Sequence, residues 1–232
     1  MINFDFTGTS TKLKTAINNV PSSAKSAVMF GIRTLTGDAS PDNEGGFRPV
    51  SIYFPEGSIV NPYFPAPVAS RSVSLRRVVD VILGVLSKAL PQKYPAANCG
   101  QASVIYCGTT NEVNNETIVG AIGGPWMGGM GARPDKDGID ATDHDASNVY
   151  HVPLEVSEAE LPIRFNRMEL WMDSGGAGKW RGGLGFYSEV EWLKGKAGAS
   201  LRRDRHKFKP WGLAGGHSGP VCATALKRKY SK

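Results

Sequence analysis

No run of eighteen apolar residues occurs in this chain, so no segment has the length of a membrane-spanning helix. Met1 to Asp5 has neither the charged n-region nor the apolar h-region of a signal peptide, so no secretory leader is expected. Cysteine is scarce: Cys99, Cys107 and Cys222 are the only three, and no two form a C-x-x-C pair. That count and spacing argue against a disulfide framework or a zinc site and fit reduced thiols in a cytoplasmic compartment. Histidine is scarce too. Of the four, only His144 (within Asp143-His144-Asp145) and His151 come near a metal pattern, and their H-x6-H spacing matches no helical ligand pair. No repeat or low-complexity tract is present. Ser174 lacks a G-x-S-x-G elbow, and no cysteine sits in a nucleophile signature.

Glycine, by contrast, is abundant, with 28 residues concentrated in loops. The densest run is Asp173 to Gly185, where six of thirteen residues are glycine beside Asp173, Lys179 and Arg181. Six glycines next to fixed charges describe a loop shaped around something. It is not a nucleotide P-loop, since Asp173 stands where a glycine is needed and Trp180 where Ser or Thr is needed. Nor is it a dinucleotide turn, because Arg181 replaces the last glycine of G-x-G-x-x-G. Its amides retain the chemistry to cradle an anion. Arg181 has the fork to grip a carboxylate or phosphate, with Asp173 orienting it or acting as base; the alternative is an internal Asp173–Arg181 pair that shuts the loop. A second run, Gly123 to Gly131 around Trp126, reads as an apolar substrate wall or as interface packing. Asp204-Arg205 lies at a strand end before the third run, Gly212 to Gly219.

The chain carries 27 basic against 21 acidic side chains, a net charge of +6, with clusters at Arg202 to Lys209 and Lys227 to Lys232. No nucleic-acid module accompanies them, so they read as a solvated face and tail, or as a surface facing an acidic partner. Apolar periodicity predicts helices over Pro21–Leu35, ended by Gly37, and over Leu75–Leu90, capped by Ser72 or Ser74 and stopped by Pro91. Gly84 inside the second helix predicts close packing against a neighbour. Strands are expected at Ile2–Phe6, Arg48–Phe54, Ser103–Tyr106, Thr117–Ile122, Arg164–Met172, Leu184–Leu193 and Ala197–Asp204. Helices first and strands later, without βαβ alternation, predict an α+β fold, with a helix-containing N-terminal part and a strand-rich, glycine-loop-rich C-terminal part. Residues 1–232 are expected to form a single domain, with a soft boundary near 95–102.

Several segments in order resemble signatures of the hydantoinase B / 5-oxoprolinase family, which includes a large subunit of acetone and acetophenone carboxylases. Asp173 to Gly185 is similar to its "DSGGAG-x-x-RGG-x-G", Phe4 to Ser10 to "DFSGTS", and Pro55 to Pro62 to "PEGS-x-x-NP", continued by Pro65 to Val68. Asn148 with Val152 to Glu155 resembles "N-x-P-x-E". Asp204-Arg205 and Pro210 to Gly216 resemble "DR…PWGL-x-GG". The resemblance covers about the C-terminal half of a family member. The family's metal-ligand run lies in the other half and is absent from this sequence.

The resemblance implies part of an ATP-dependent cyclic-amide hydrolase (hydantoinase or oxoprolinase type) or ketone carboxylase. Its implied partners are a hydantoinase A type ATP-binding subunit and the N-terminal half of the hydantoinase B type subunit, within an oligomer. ATP and a divalent metal are implied for the full complex, none bound by this chain alone, and no activity is expected in isolation. No nucleic-acid or membrane partner is expected. Candidate catalytic residues are Asp173, Arg181 and Glu155; candidate substrate-binding residues are Gly175, Gly176, Gly178, Asn148, Asp204 and Arg205; no metal ligand is assigned. The competing expectation is a non-catalytic assembly module or a truncated remnant of such a subunit.

Overall fold

The computed structural model describes residues 1–37, 43–100, 103–110 and 116–228. The first apolar stripe forms helix α1, Pro21–Thr36, with proline in its first turn and Gly37 capping its end at φ +61°. The second forms α2, Arg71–Ala89. It starts a turn earlier than the apolar pattern predicts, behind Ser70 rather than Ser72 or Ser74. Ser74 instead turns its hydroxyl back to donate to the Arg71 carbonyl (2.9 Å). Ala27, Val28 and Ile32 of α1 pack on Val79, Ile82 and Leu83 of α2. The helices approach most closely at Gly31, where an added Cβ would lie 2.4 Å from Ile82 Cγ2.

Strands β1, Ile2–Asp5, and β2, Val50–Tyr53, pair in parallel from Ile2↔Val50 to Asp5↔Tyr53, the crossover being carried by α1. Phe4, Val50 and Ile52 close the helical core from that side. No helix among the described residues is long and apolar enough to cross a membrane.

The later part is strand-rich. β3, Ser103–Thr110, lies between β4, Thr117–Trp126, and β7, Ala197–Arg202, antiparallel to both. A short helix α3, Leu154–Glu160, precedes the ribbon of β5, Ile163–Trp171, and β6, Gly185–Trp192. Cys107, Ile122, Leu161 and Ile163 form a second, smaller core.

Helices and small sheets together make the α+β fold that the pattern predicts. Two elements differ. β4 runs through Gly123–Trp126, which its glycines suggested was loop, because pairing with β3 extends to Ser103↔Trp126. α3 has no counterpart among the expected elements, since seven residues after Pro153 carry too little periodicity to stand out.

Candidate functional site

The β5–β6 ribbon presents the signature loop at its tip, where Trp171 pairs with Gly185. Ser174 pins the base of the loop: its hydroxyl donates to the Trp171 carbonyl and accepts from the Gly185 amide, both at 2.6 Å. Loop backbones then lie directly on one another. The Gly183 amide donates to Met130 O (2.8 Å), Gly182 to Gly176 O (2.9 Å), His217 to Ala177 O (2.8 Å), and Gly219 to Pro210 O (3.2 Å). Residues 96–99 join the same assembly: Ala96 donates to Ala132 O, Ala97 to Trp211 O and Cys99 to Gly129 O.

Glycine is required here by contact. An added Cβ at Gly129 would sit 1.9 Å from Gly183 O, and one at Gly176 would sit 2.3 Å from His217 O. The amides of Gly182, Gly183, His217 and Gly219 are therefore committed to neighbouring carbonyls and do not form the anion cradle that the glycine run suggested.

Arg181 pairs with Asp140, not with Asp173. Its Nη1 donates to Asp140 Oδ1 (3.0 Å) and to Gly182 O, and its backbone amide donates to Asp137 Oδ1. Asp140 also accepts from the Leu184 amide (2.7 Å); this bond first, then Arg181, holds its carboxyl below the usual range. Asp173 is exposed, in a left-handed turn at φ +61°. Neighbours in sequence pointed to a pair that the loop's course places with a residue from another segment.

A cavity of about 400 Å³ opens among the three glycine loops. Gly176, Gly178 and Arg205 of the sequence-derived candidates line it; Asp173, Gly175, Arg181, Asp204, Asn148 and Glu155 do not. Asn148 and Glu155 are exposed, the latter in the first turn of α3. Trp180 and Trp211 give the cavity flat apolar walls. Trp180 is fixed by Nε1 donating to Pro134 O (3.0 Å), and Trp211 lies over Gly84 of α2, the neighbour which that glycine predicts.

Behind the cavity lies a charged cluster that sequence reasoning missed. Asp80 of α2, 2 % exposed, accepts from Arg77 Nη1 (2.5 Å), Arg205 Nη2 (3.0 Å) and His144 Nε2 (3.3 Å). Arg77 also grips Asp204 through Nε and Nη2. Arg205 Nη2 reaches the Asn98 carbonyl as well, and its guanidinium faces the Trp211 ring at 5.1 Å. Burial, then repulsion from Arg77, lowers the Arg205 pKa. Asp145, bonded to Asn98 Nδ2, has its carboxyl pushed up mainly by burial. The available signal was Asp80 itself, the one acid in α2, set among Val79, Ile82 and Leu83.

His144 and His151 do not share a site. His144 is buried, with Nδ1 accepting from the Ala146 amide and Nε2 on Asp80. His151 packs edge-on against Phe186 and bonds the Val152 carbonyl.

Comparison with known proteins bears on this architecture. The sequence model described as Hydantoinase B/oxoprolinase matches residues 1–231. The chain belongs to the hydantoinase B/oxoprolinase family. It is 33% identical over 233 residues to a subunit of the "Putative D-/L-hydantoinase" of Pseudomonas sp. (strain NS671), covering 96% of this chain and 38% of that protein.

Two solved structures share the fold at 23% identity. One is the ATP-dependent caprolactamase from Pseudomonas jessenii, with a TM-score of 0.73, covering 94% of this chain and 42% of that one. The other is the nucleotide-free acetone carboxylase, with a TM-score of 0.69, covering 95% and 30%. This hydantoinase B/oxoprolinase chain thus spans well under half the length of these relatives.

Proposed function

We propose that the chain forms the substrate cavity of an ATP-dependent complex that opens cyclic amides or carboxylates ketones. The supporting observation is that three glycine loops, two of them carrying family signatures, enclose one cavity with aromatic walls and a basic lining. A separate hydantoinase A type subunit supplies ATP chemistry, and the N-terminal half of a hydantoinase B type subunit supplies the divalent metal. Among the described residues no three His, Cys, Asp or Glu side chains are arranged to hold a metal ion, and His144 has both ring nitrogens engaged, so the donor set does not fit a metal held by this chain. The amides of Gly182, Gly183, His217 and Gly219 are likewise engaged with neighbouring carbonyls. What these residues offer is exclusion of water by stacked loops, a flat apolar wall, and cations for an anionic intermediate.

A second reading, an assembly module without catalytic duty, draws on the same packing: Arg181 and Arg205 both sit in ion pairs that hold segments together. The two readings separate on one substitution. Leu213 lines the cavity, and Leu213→Trp narrows it. In the reconstituted complex the first reading expects ATP-dependent turnover of hydantoin, 5-oxoproline, caprolactam or acetone to be lost while assembly persists. Unchanged turnover overturns it in favour of the assembly module.

A further inference from the structure

Two of the signature segments take no part in the cavity. Phe4 to Ser10 and Pro55 to Pro62 meet where β1 and β2 end: the Lys12 amide donates to Gly57 O and the Ile59 amide to Ser10 O, both at 2.8 Å. The stretch that follows is tied down as well. Lys12 Nζ donates to Pro65 O (3.1 Å), and the fully buried Asn18 donates through Nδ2 to Pro67 O (2.9 Å). Tyr63 lies over Gly57, where an added Cβ would sit 2.6 Å from its ring. Yet the aromatic side chains on this fixed loop face solvent: Phe64 is 97 % exposed, Tyr63 60 %, and Tyr53 at the end of β2 56 %. A phenyl ring held in water by a fixed backbone adds nothing to this chain's own core.

The layer beside the loop is open too. Parallel strands are ordinarily buried within larger sheets. Among the described residues β1 and β2 make a sheet of two, and Ile2, Asn3 and Asp5 of β1 are exposed. The chain exposes 14130 Å², against about 10,000 Å² for a self-contained globular chain of its mass. The excess of about 4,000 Å² is several times the ~800 Å² that one partner contributes to a standard interface. A second copy docked by such an interface leaves most of the excess bare. The relatives carry more than half of their length beyond the part that this chain matches, enough polypeptide to cover it.

We infer that the aromatic end of the β1–β2 layer, Tyr53, Tyr63 and Phe64, is the docking face for the N-terminal half of the hydantoinase B type subunit, with Phe64 seated in an apolar pocket of that half. This rests on the function proposed above and gives one of its partners a place on the chain. Aromatic anchors carry a large share of the energy of an interface. Here the backbone of the anchor is already fixed by Lys12 and Asn18, so docking has little loop entropy left to remove. The two signature segments outside the cavity then serve as the mount of the contact.

Hydroxyl-radical footprinting read by mass spectrometry tests the inference on the chain alone, with the N-terminal half, and in the full complex with the ATP-binding subunit. Adding the N-terminal half is expected to slow oxidation of Tyr63 and Phe64 at least about five-fold, as desolvated anchors require. Phe64→Ser is expected to weaken association with that half at least about ten-fold. Thermal unfolding of the isolated variant should match the native chain, because the ring is exposed. Unchanged oxidation in a complex that forms overturns the inference, as does undiminished affinity of Phe64→Ser or failure of the two halves to associate. Protection that grows with the concentration of the chain alone assigns the face to a second copy and overturns it. So does protection that waits for the ATP-binding subunit. Turnover by a complex with Phe64 unprotected removes the docking face alone; protection of Phe64 with a turnover-competent Leu213→Trp complex removes the function reading and leaves the face.

Discussion

The helical part and the glycine-loop part of this molecule are held together by opposite means. Between α1 and α2 the contacts are side chain on side chain: Val28, Ile32, Val79 and Ile82 bury apolar surface, and even the close approach at Gly31 is made to a side-chain atom of Ile82. Among the loops the contacts are backbone on backbone, with Gly129 against Gly183 O and Gly176 against His217 O. A side chain can be exchanged for one of another shape. A carbonyl oxygen cannot. The first region should tolerate paired repacking, whereas the second should reject any Cβ, compensated or not.

The largest effect is expected where the two regions join, at Asp80. Asp80→Ala leaves Arg205 buried without its carboxylate and should cost about 3–5 kcal/mol in denaturant unfolding. A loss below about 1 kcal/mol would mean that the regions are joined by other contacts.

Gly129→Ala comes next, at about 3 kcal/mol, with no single partner change able to restore it. Gly31→Ala should cost roughly 1–3 kcal/mol, but Gly31→Ala with Ile82→Leu should recover most of it, because leucine carries no branch at Cβ. If both glycines prove equally beyond rescue in a double-mutant analysis, the contrast between the regions fails.

A smaller, pH-dependent effect belongs to Asp145. Burial raises its folded carboxyl pKa above the unfolded value, so the folded state holds the extra proton and this group's contribution falls as pH rises through the shifted range. Asp145→Asn keeps an acceptor for Asn98 and removes the charge. Its stability relative to the native chain should therefore rise with pH, as followed by thermal unfolding at a series of pH values. A flat difference would show that the carboxyl ionises without penalty. At the low end, Lys25→Gln breaks an exposed pair with Glu44 (3.0 Å) and should change stability by no more than about 0.5 kcal/mol.

What could be read from the sequence follows the same division. The helices declare themselves because Val28 and Ile32, or Val79 and Ile82, repeat at the helical period, and most strands alternate. The glycine runs mark where loops meet, but not what they meet. Gly183 touches Ile139 and Met130, far apart in sequence, and Arg181 finds Asp140 rather than the nearby Asp173. The cluster around Asp80 was hidden for the same reason: Arg205 and His144 each stood out in the sequence, but nothing local says that they meet at Asp80.

The packing of Gly129 on Gly183 also bears on what a glycine-rich signature can mean. A position that admits no side chain because a carbonyl lies against it is restricted by that carbonyl alone, whatever molecule occupies the neighbouring space. Such a signature encodes the shape of a junction. The identity of the ligand must be written elsewhere, in the side chains that line the cavity, such as Trp180 and Leu213.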